Sequence, residues 1–103
     1  MIVVSTEEIP GKKISETLGI ARGSTVRARH LGRDIFAGLK NLVGGEISEY
    51  TKLMSDAREE AMNRMILDAN RMGADAVVNV RLTTSAVMQG CSEILAYGTA
   101  VKF

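Results

Sequence analysis

The sequence has little of the material from which catalytic and metal sites are usually built. It contains one cysteine, Cys91, one histidine, His30, and no tryptophan among 103 residues. A single cysteine excludes an intrachain disulfide and fits a reducing compartment. A structural zinc site needs four Cys- or His-type ligands at close spacing, so one subunit cannot build such a site. Metal binding through Cys91 would require symmetry-related copies of the chain.

Charge of one sign and long apolar runs are also scarce. The net charge is +1, so no global field draws the protein to nucleic acid or to a membrane surface, and neither partner is predicted. No stretch approaches the roughly 18 apolar residues of a membrane span. The first ten residues lack the basic and apolar regions of a signal peptide. We therefore expect a cytoplasmic protein.

Motifs for nucleotide binding and covalent catalysis are missing. The chain has neither G-x-x-x-x-G-K-[ST] nor G-x-G-x-x-G, so the Gly44-Gly45 pair is interpreted as a tight turn before a helix. It also lacks G-x-S-x-G and S-x-x-K. We predict no catalytic residues from these patterns, and they leave any cofactor unknown. An enzyme would need a site built at a subunit interface.

The first half of the chain predicts strands followed by a short helix. Residues 2–4 form a β-branched run that is typical of a strand. Residues 14–29 alternate as one long, bent strand or as two strands in line, in which Gly19 and Gly23 indicate a bulge or a close backbone approach. Apolar residues then recur at helical spacing over residues 35–43, and Gly44-Gly45 ends this short helix.

The strongest pattern predicts a helix from Ser48 to Met72. Apolar residues at steps of three or four form one continuous stripe along it, and Gly73 is a natural C′ residue. Three of the six methionines, Met54, Met65 and Met72, belong to that stripe. Thioethers can bind Cu(I), but methionine is also a flexible filler of apolar cores, and we favour the core role here.

Two strands close the chain. The alternation over residues 78–88 predicts that Val78, Val80, Leu82 and Ala86 meet the long helix and that Asn79, Arg81, Thr83 and Ser85 form an outward polar row. Residues 95–103 also alternate, and Gly98 indicates a close backbone approach. We expect Arg81 either to pair with Glu93 on the neighbouring strand or to line an anion-binding channel. The element order predicts a single α+β domain over residues 1–103, with an antiparallel-rich sheet and both helices on one face.

Several short segments carry a family resemblance by their order and spacing: Phe36-Ala37-Gly38, Gly44-Gly45, Tyr50, Ala57-Arg58, Gly73-Ala74-Asp75-Ala76-Val77-Val78 and Gly98-Thr99-Ala100-Val101. Together they resemble the YbjQ-like proteins, small bacterial proteins of unknown function that are labelled "putative heavy-metal-binding". The resemblance spans essentially the whole chain. It implies a dodecin-like β-α-β-β subunit in a homo-oligomeric, pentameric ring with the helices outside. It supplies no established catalytic residues.

Six polar residues are candidates for ligand binding: Arg33, Asp34, Tyr50, Arg58, Asn79 and Arg81. The alternative for the first four is that they cap helices and pair across subunits. Three functions stay open at this point. The first is a non-enzymatic oligomeric module that binds a small polar or anionic ligand, the second is a soft-metal binder that uses symmetry-related Cys91 and methionines, and the third is an enzyme with an interface-built site.

Overall fold

A computed structural model describes residues 1–28, 48–88 and 91–103. Strand β1 (Ile2–Val3) and the long strand β2 (Glu16–Ala28) precede helix α1 (Ser48–Arg71). Strands β3 (Ala76–Met88) and β4 (Cys91–Lys102) follow. The α+β class, the long strand near residues 14–29 and the long helix are thereby confirmed. The predicted short helix over residues 35–43 and the turn at residues 89–90 lie outside the described residues.

Helix α1 forms because its apolar positions recur on one side. Ala57, Ala61, Met65 and Ala69 are all fully buried against the sheet. The helix ends at Gly73, which adopts φ +81°. The Gly73 N–H donates to the Asn70 carbonyl at 3.0 Å, and the Ala74 N–H donates to the Ala69 carbonyl at 3.1 Å. This is a Schellman motif, which satisfies carbonyls that the helix itself leaves open.

The helix packs unusually close to β2 because small residues face it. An ideal Cβ placed on Gly23 would lie 2.5 Å from the Ala61 carbonyl oxygen and 2.6 Å from the Arg64 carbonyl carbon, both in the backbone of α1. Two residues further on, the buried Thr25 hydroxyl donates to the Ala57 carbonyl at 3.1 Å. Glycine at position 23 therefore sets the separation between helix and sheet, as the sequence predicted for a glycine inside a strand.

The sheet has the strand order β1-β3-β4-β2. The pairs β2–β4 and β3–β4 are antiparallel, whereas β1 pairs with β3 in parallel, so the sheet is mixed. The β2–β4 register shifts between Thr17 and Gly19, where Gly19 has φ +129°. The β3–β4 register shifts between Val78 and Arg81. Helix α1 packs mainly on β2 and then on β4, so α1 leaves most of the helix-side face of β3 uncovered.

A second, smaller core lies on the other face of the sheet. Ala76, Val78 and Val101 are buried there beneath the N-terminal segment, through Val4, Ile9 and Ile14. Beyond this segment, no other described residue packs over this face. We call the sheet surface opposite α1 the open face; it is formed by Arg22, Ser24, Val26, Arg81, Thr83, Ser85, Glu93, Leu95 and Tyr97.

The molecule is elongated for its length. The radius of gyration of the Cα atoms is 17.0 Å and the principal extents are 54 × 25 × 16 Å. A compact chain of this length has a radius of gyration of about 13 Å. The elongation follows from strands of 12 and 13 residues, at about 3.3 Å per residue, that have a single described helix lying along them. Within residues 1–28, 48–88 and 91–103, much of the sheet thus has no covering layer.

Candidate functional site

The six candidate residues do not form one cluster. Arg33 and Asp34 lie outside the described residues, and Tyr50 lies in the first turn of α1. Arg58 is exposed on α1, next to the fully buried Ala57, so the sheet separates it from the open face. Asn79 and Arg81 lie on β3 within two residues of each other. These two are neighbours along one strand, and the structure brings no other candidate beside them in the described part of the chain.

Asn79 forms a β-bulge, which the alternating pattern of residues 78–88 did not predict. Its φ is +55°, and the β3–β4 register resumes only at Arg81. The Asn79 N–H donates to the Thr6 carbonyl at 2.9 Å, and the Val80 N–H donates to the Val4 carbonyl at 3.1 Å. A bulge inserts an unpaired residue and re-aims the side chains that follow it. Asparagine suits the position, because it tolerates positive φ better than other residues with a Cβ.

The predicted faces of β3 need correction for this reason. Val77, not Val78, packs in the core beneath α1, and Val78 lies on the opposite face under the N-terminal segment. After the bulge, Val80 packs against the helix-side core as predicted. Leu82 lies opposite the buried Ala96 but is 48% exposed, because α1 does not reach it. Asn79 therefore does not belong to the row that Arg81 begins.

The predicted pairing of Arg81 with Glu93 is wrong. Arg81 lies opposite Tyr97, and Glu93 lies opposite Ser85, four residues further along β4. At about 3.3 Å per residue this offset is about 13 Å. The Arg81 guanidinium instead donates through Nη1 to the Ser5 carbonyl at 2.9 Å and to the carbonyl of the preceding residue, Val80, at 3.0 Å. Arg81 thus helps to hold the N-terminal segment on the sheet.

The register brings a second arginine to the same place. Tyr97 lies opposite Arg81 on β3 and opposite Arg22 on β2. We call these three residues the Arg–Tyr–Arg row. Ala21 and Ala96 are buried beneath α1, so the next residues along each strand, Arg22 and Tyr97, face the other way, onto the open face. Tyr97 is 38% exposed.

Sequence reasoning did not select Arg22 or Tyr97. The sequence contained one indication: Arg22 is large and charged, whereas its neighbours Ala21 and Gly23 are small and suited to close packing against a helix. Its significance depends on the β2–β4 register, which places it beside Tyr97. Periodicity in one strand gives a face but not a cross-strand neighbour.

Helix α1 also covers part of the outer edge of β2. The Arg22 N–H donates to the Asp68 carboxylate at 3.0 Å, and the Arg64 guanidinium donates to the Ser24 carbonyl. Arg64 also forms an ion pair with Glu60, one helical turn away. Edge strands carry unpaired N–H and C=O groups, which proteins commonly protect. Two of these groups on β2 are therefore satisfied by side chains of the helix.

The methionine and cysteine positions bear on the soft-metal hypothesis. Met65 is fully buried in the core, and Met54 and Met72 are half-buried against it, so the predicted packing role of the methionine stripe is confirmed. Cys91 is the first residue of β4. Over residues 1–28, 48–88 and 91–103 there is no group of three or more His, Cys, Asp or Glu side chains that could hold a metal ion.

No helix among the described residues is long and apolar enough to cross a membrane.

Comparison with known families matches the whole chain. The model of the YbjQ family, described as "Putative heavy-metal-binding", matches residues 1–103. A UPF0145 protein of Methanosarcina acetivorans is 63% identical over 102 residues, which cover 99% of this chain and 96% of the relative. UPF0145 proteins of Archaeoglobus fulgidus and Photobacterium profundum are each 60% identical and cover 94% and 99% of their own lengths. The relatives include archaeal proteins, so the family is wider than the bacterial one that the resemblance implied.

A solved structure supports the fold. A protein of unknown function of the DUF74 family from Pediococcus pentosaceus superimposes with a TM-score of 0.66 at 14% identity. The similarity covers 100% of this chain and 97% of that chain. At this level of identity the likeness concerns the fold alone.

Proposed function

Because the chain belongs to the YbjQ family over its whole length, and that family carries no established reaction, we propose from the geometry that the protein is a non-enzymatic, homo-oligomeric module. Its subunits form a pentameric ring, and the ring binds a small polar or anionic ligand. The observation that carries the assembly is the bare outer edge of β3.

That edge is long, and the described part of the chain gives it little of the usual protection. Strand β1 pairs only with Ala76 and Val77, and backbone bonds from the N-terminal segment reach no further than Val80. From Leu82 to Met88 the strand has no charged residue and no proline. Within the described part of the chain, no strand pairs with this outer edge. Monomeric proteins avoid such edges, because they invite pairing with another chain.

The second free edge lies on the opposite side of the sheet. Beyond Ser24, whose carbonyl Arg64 occupies, no described residue pairs with the outer edge of β2 up to Ala28. Two different edges on opposite sides make a head-to-tail contact, which closes into a ring when the rotation per subunit allows it. In a ring with α1 outside, the open face lines the lumen. Its polar and aromatic side chains are then the surface available to a ligand.

Sedimentation velocity and native mass spectrometry at micromolar concentrations test the assembly. The expected result for the wild type is one species of five subunits. Thr84→Pro removes a backbone N–H from the outer edge of β3. The N–H of Val80 points outward to Val4, and N–H directions alternate along a strand, so the N–H of Thr84 also points outward. We expect this variant to sediment as smaller species while its far-UV circular dichroism is retained. Asn63→Lys, on the exposed side of α1, is the control and keeps the ring.

A wild-type protein that sediments as a monomer over the whole concentration range contradicts the proposal. A ring that survives Thr84→Pro unchanged contradicts the assignment of the β3 edge to the contact.

A further inference from the structure

We propose that the Arg–Tyr–Arg row binds a small oxyanion, either inorganic phosphate or a phosphate ester. The inference rests on the proposed ligand-binding function and names the site and the ligand chemistry. The two arginines lie on the strands either side of β4, and each is directly opposite Tyr97 in the strand register.

The spacing suits one ligand held by both arginines. Neighbouring strands are about 4.8 Å apart, so the Cα atoms of Arg22 and Arg81 are about 10 Å apart. Both side chains leave the sheet on the face that carries Tyr97. Arg22 can reach a group placed over the tyrosine, and Arg81 reaches the same group when its guanidinium turns from the Ser5 and Val80 carbonyls at the outer edge of β3. Guanidinium groups bind phosphate oxygens through parallel N–H donors, which gives geometric specificity as well as charge.

The donors are available. Among the described residues, neither Arg22 nor Arg81 is paired with a carboxylate, and the ion pair that is present joins Arg64 to Glu60. Arg81 uses Nη1 for the Ser5 and Val80 carbonyls, and no described residue accepts a hydrogen bond from its other nitrogens, which can donate to a ligand. The Arg22 backbone N–H is bound to Asp68 at the edge, which fixes the backbone without using the guanidinium.

Tyr97 provides the floor of the site. Its exposed ring offers a flat apolar surface, and its hydroxyl can donate to or accept from an oxyanion. An aromatic phosphate ester can therefore stack on the ring while its phosphate reaches the arginines. The acid on the same face of β4, Glu93, lies four residues away toward the hairpin, beside Val26 and Ser85. Glu93 is therefore too far away to neutralise the two arginines of the Arg–Tyr–Arg row.

Assembly strengthens the need for an anion. In a ring with the open face inward, every subunit contributes two arginines at one level of the lumen. Like charges brought close together repel unless a counter-anion lies between them. A bound phosphate group removes this repulsion, so binding and assembly favour each other.

Isothermal titration calorimetry with inorganic phosphate and with phenyl phosphate, at ionic strength balanced with sodium chloride, tests the site. We expect the wild type to bind both ligands and to bind phenyl phosphate more tightly. Arg22→Gln and Arg81→Gln should each weaken phosphate binding about tenfold or more, since each removes charge-assisted hydrogen bonds. Tyr97→Leu should remove the advantage of phenyl phosphate while leaving binding of inorganic phosphate within about twofold.

Arg71→Gln is the matched control, because Arg71 is an exposed arginine in the last turn of α1, on the other side of the sheet. It should bind phosphate as the wild type does. An equal loss in Arg71→Gln, or wild-type affinity in Arg22→Gln, overturns the site. Arg81→Gln could also loosen the N-terminal segment, so Arg22→Gln decides the question.

Sedimentation of the same samples separates this inference from the assembly. A monomer that binds phosphate in an Arg22-dependent manner supports the site and refutes the ring. A ring that gives no heat with either ligand refutes the site and leaves the assembly intact.

Discussion

Replacing Gly23 with alanine tests how the helix is placed on the sheet. The added Cβ would come within 2.5 Å of the Ala61 carbonyl oxygen and 2.6 Å of the Arg64 carbonyl carbon, and closer still to the Met65 nitrogen. All three atoms belong to the backbone of α1, so no side chain can rotate away. To reach ordinary van der Waals contact the helix must move off β2 by about 1 Å, which loosens the packing of the fully buried residues around Met65.

The cost follows from that displacement. Overpacking a core costs about 1–3 kcal/mol and occasionally more, and here backbone must move rather than a side chain. We therefore expect a loss of about 3 kcal/mol or more. For a domain of about 100 residues, 1 kcal/mol corresponds to about 4–8 °C in Tm, so the midpoint should fall by about 12 °C or more.

Thermal unfolding followed by circular dichroism measures this effect. Ser24→Ala is the control, because Ser24 is the next residue along β2 and its side chain lies on the open face, while its carbonyl still accepts from Arg64. Its expected change is within about 0.5 kcal/mol. A Gly23→Ala protein that melts within about 2 °C of the wild type would refute the claim that this glycine sets the distance between helix and sheet.

Substitutions at three further positions test the core and the bulge. Thr25→Val keeps the side-chain shape but removes the hydroxyl that donates to Ala57, so the Tm should fall by about 4–8 °C, for a loss of about 1 kcal/mol; an unchanged Tm would contradict a stabilising hydrogen bond. Met65→Leu conserves apolar volume and should cost less than about 1.5 kcal/mol in urea unfolding, whereas Met65→Asp buries an unpaired charge and should prevent folding. Asn79→Ala should destabilise the protein by about 1–2 kcal/mol because of φ +55°, and Asn79→Gly should not; equal urea midpoints for the two variants would argue against a strained backbone.

The long elements of the fold could be predicted from the sequence because each depends on a local pattern. The stripe that includes Ala61 and Met65 repeats at helical spacing over 24 residues, and Gly73 marks its end. Glycines at positions 23 and 98 indicated close approaches, and the structure has the α1 backbone against Gly23 and the Val77 side chain against Gly98. These signals need no knowledge of which strands pair.

The candidate site could be predicted only in part, because it depends on register. Asn79 looks like one more polar residue in a period-two pattern, and nothing local distinguishes it from a residue that keeps the alternation. Its bulge exchanges the faces of the residues before and after it, which is why Val78 was assigned to the wrong side. Arg81 was selected from its own strand, but Arg22 and Tyr97 become its neighbours only through pairings across β4.

Asp68 and Arg64 reach from α1 to the outer edge of β2, so how much of that edge is open depends on whether the helix has docked. Until the helix docks, the Arg22 N–H and the Ser24 carbonyl are open, and β2 presents a longer bare edge to any other nascent chain. Partly folded chains with open edges are prone to misassociate. Docking places Asp68 and Arg64 on those groups and shortens the edge that another chain can reach. The length of open β2 edge therefore depends on whether helix α1 has docked.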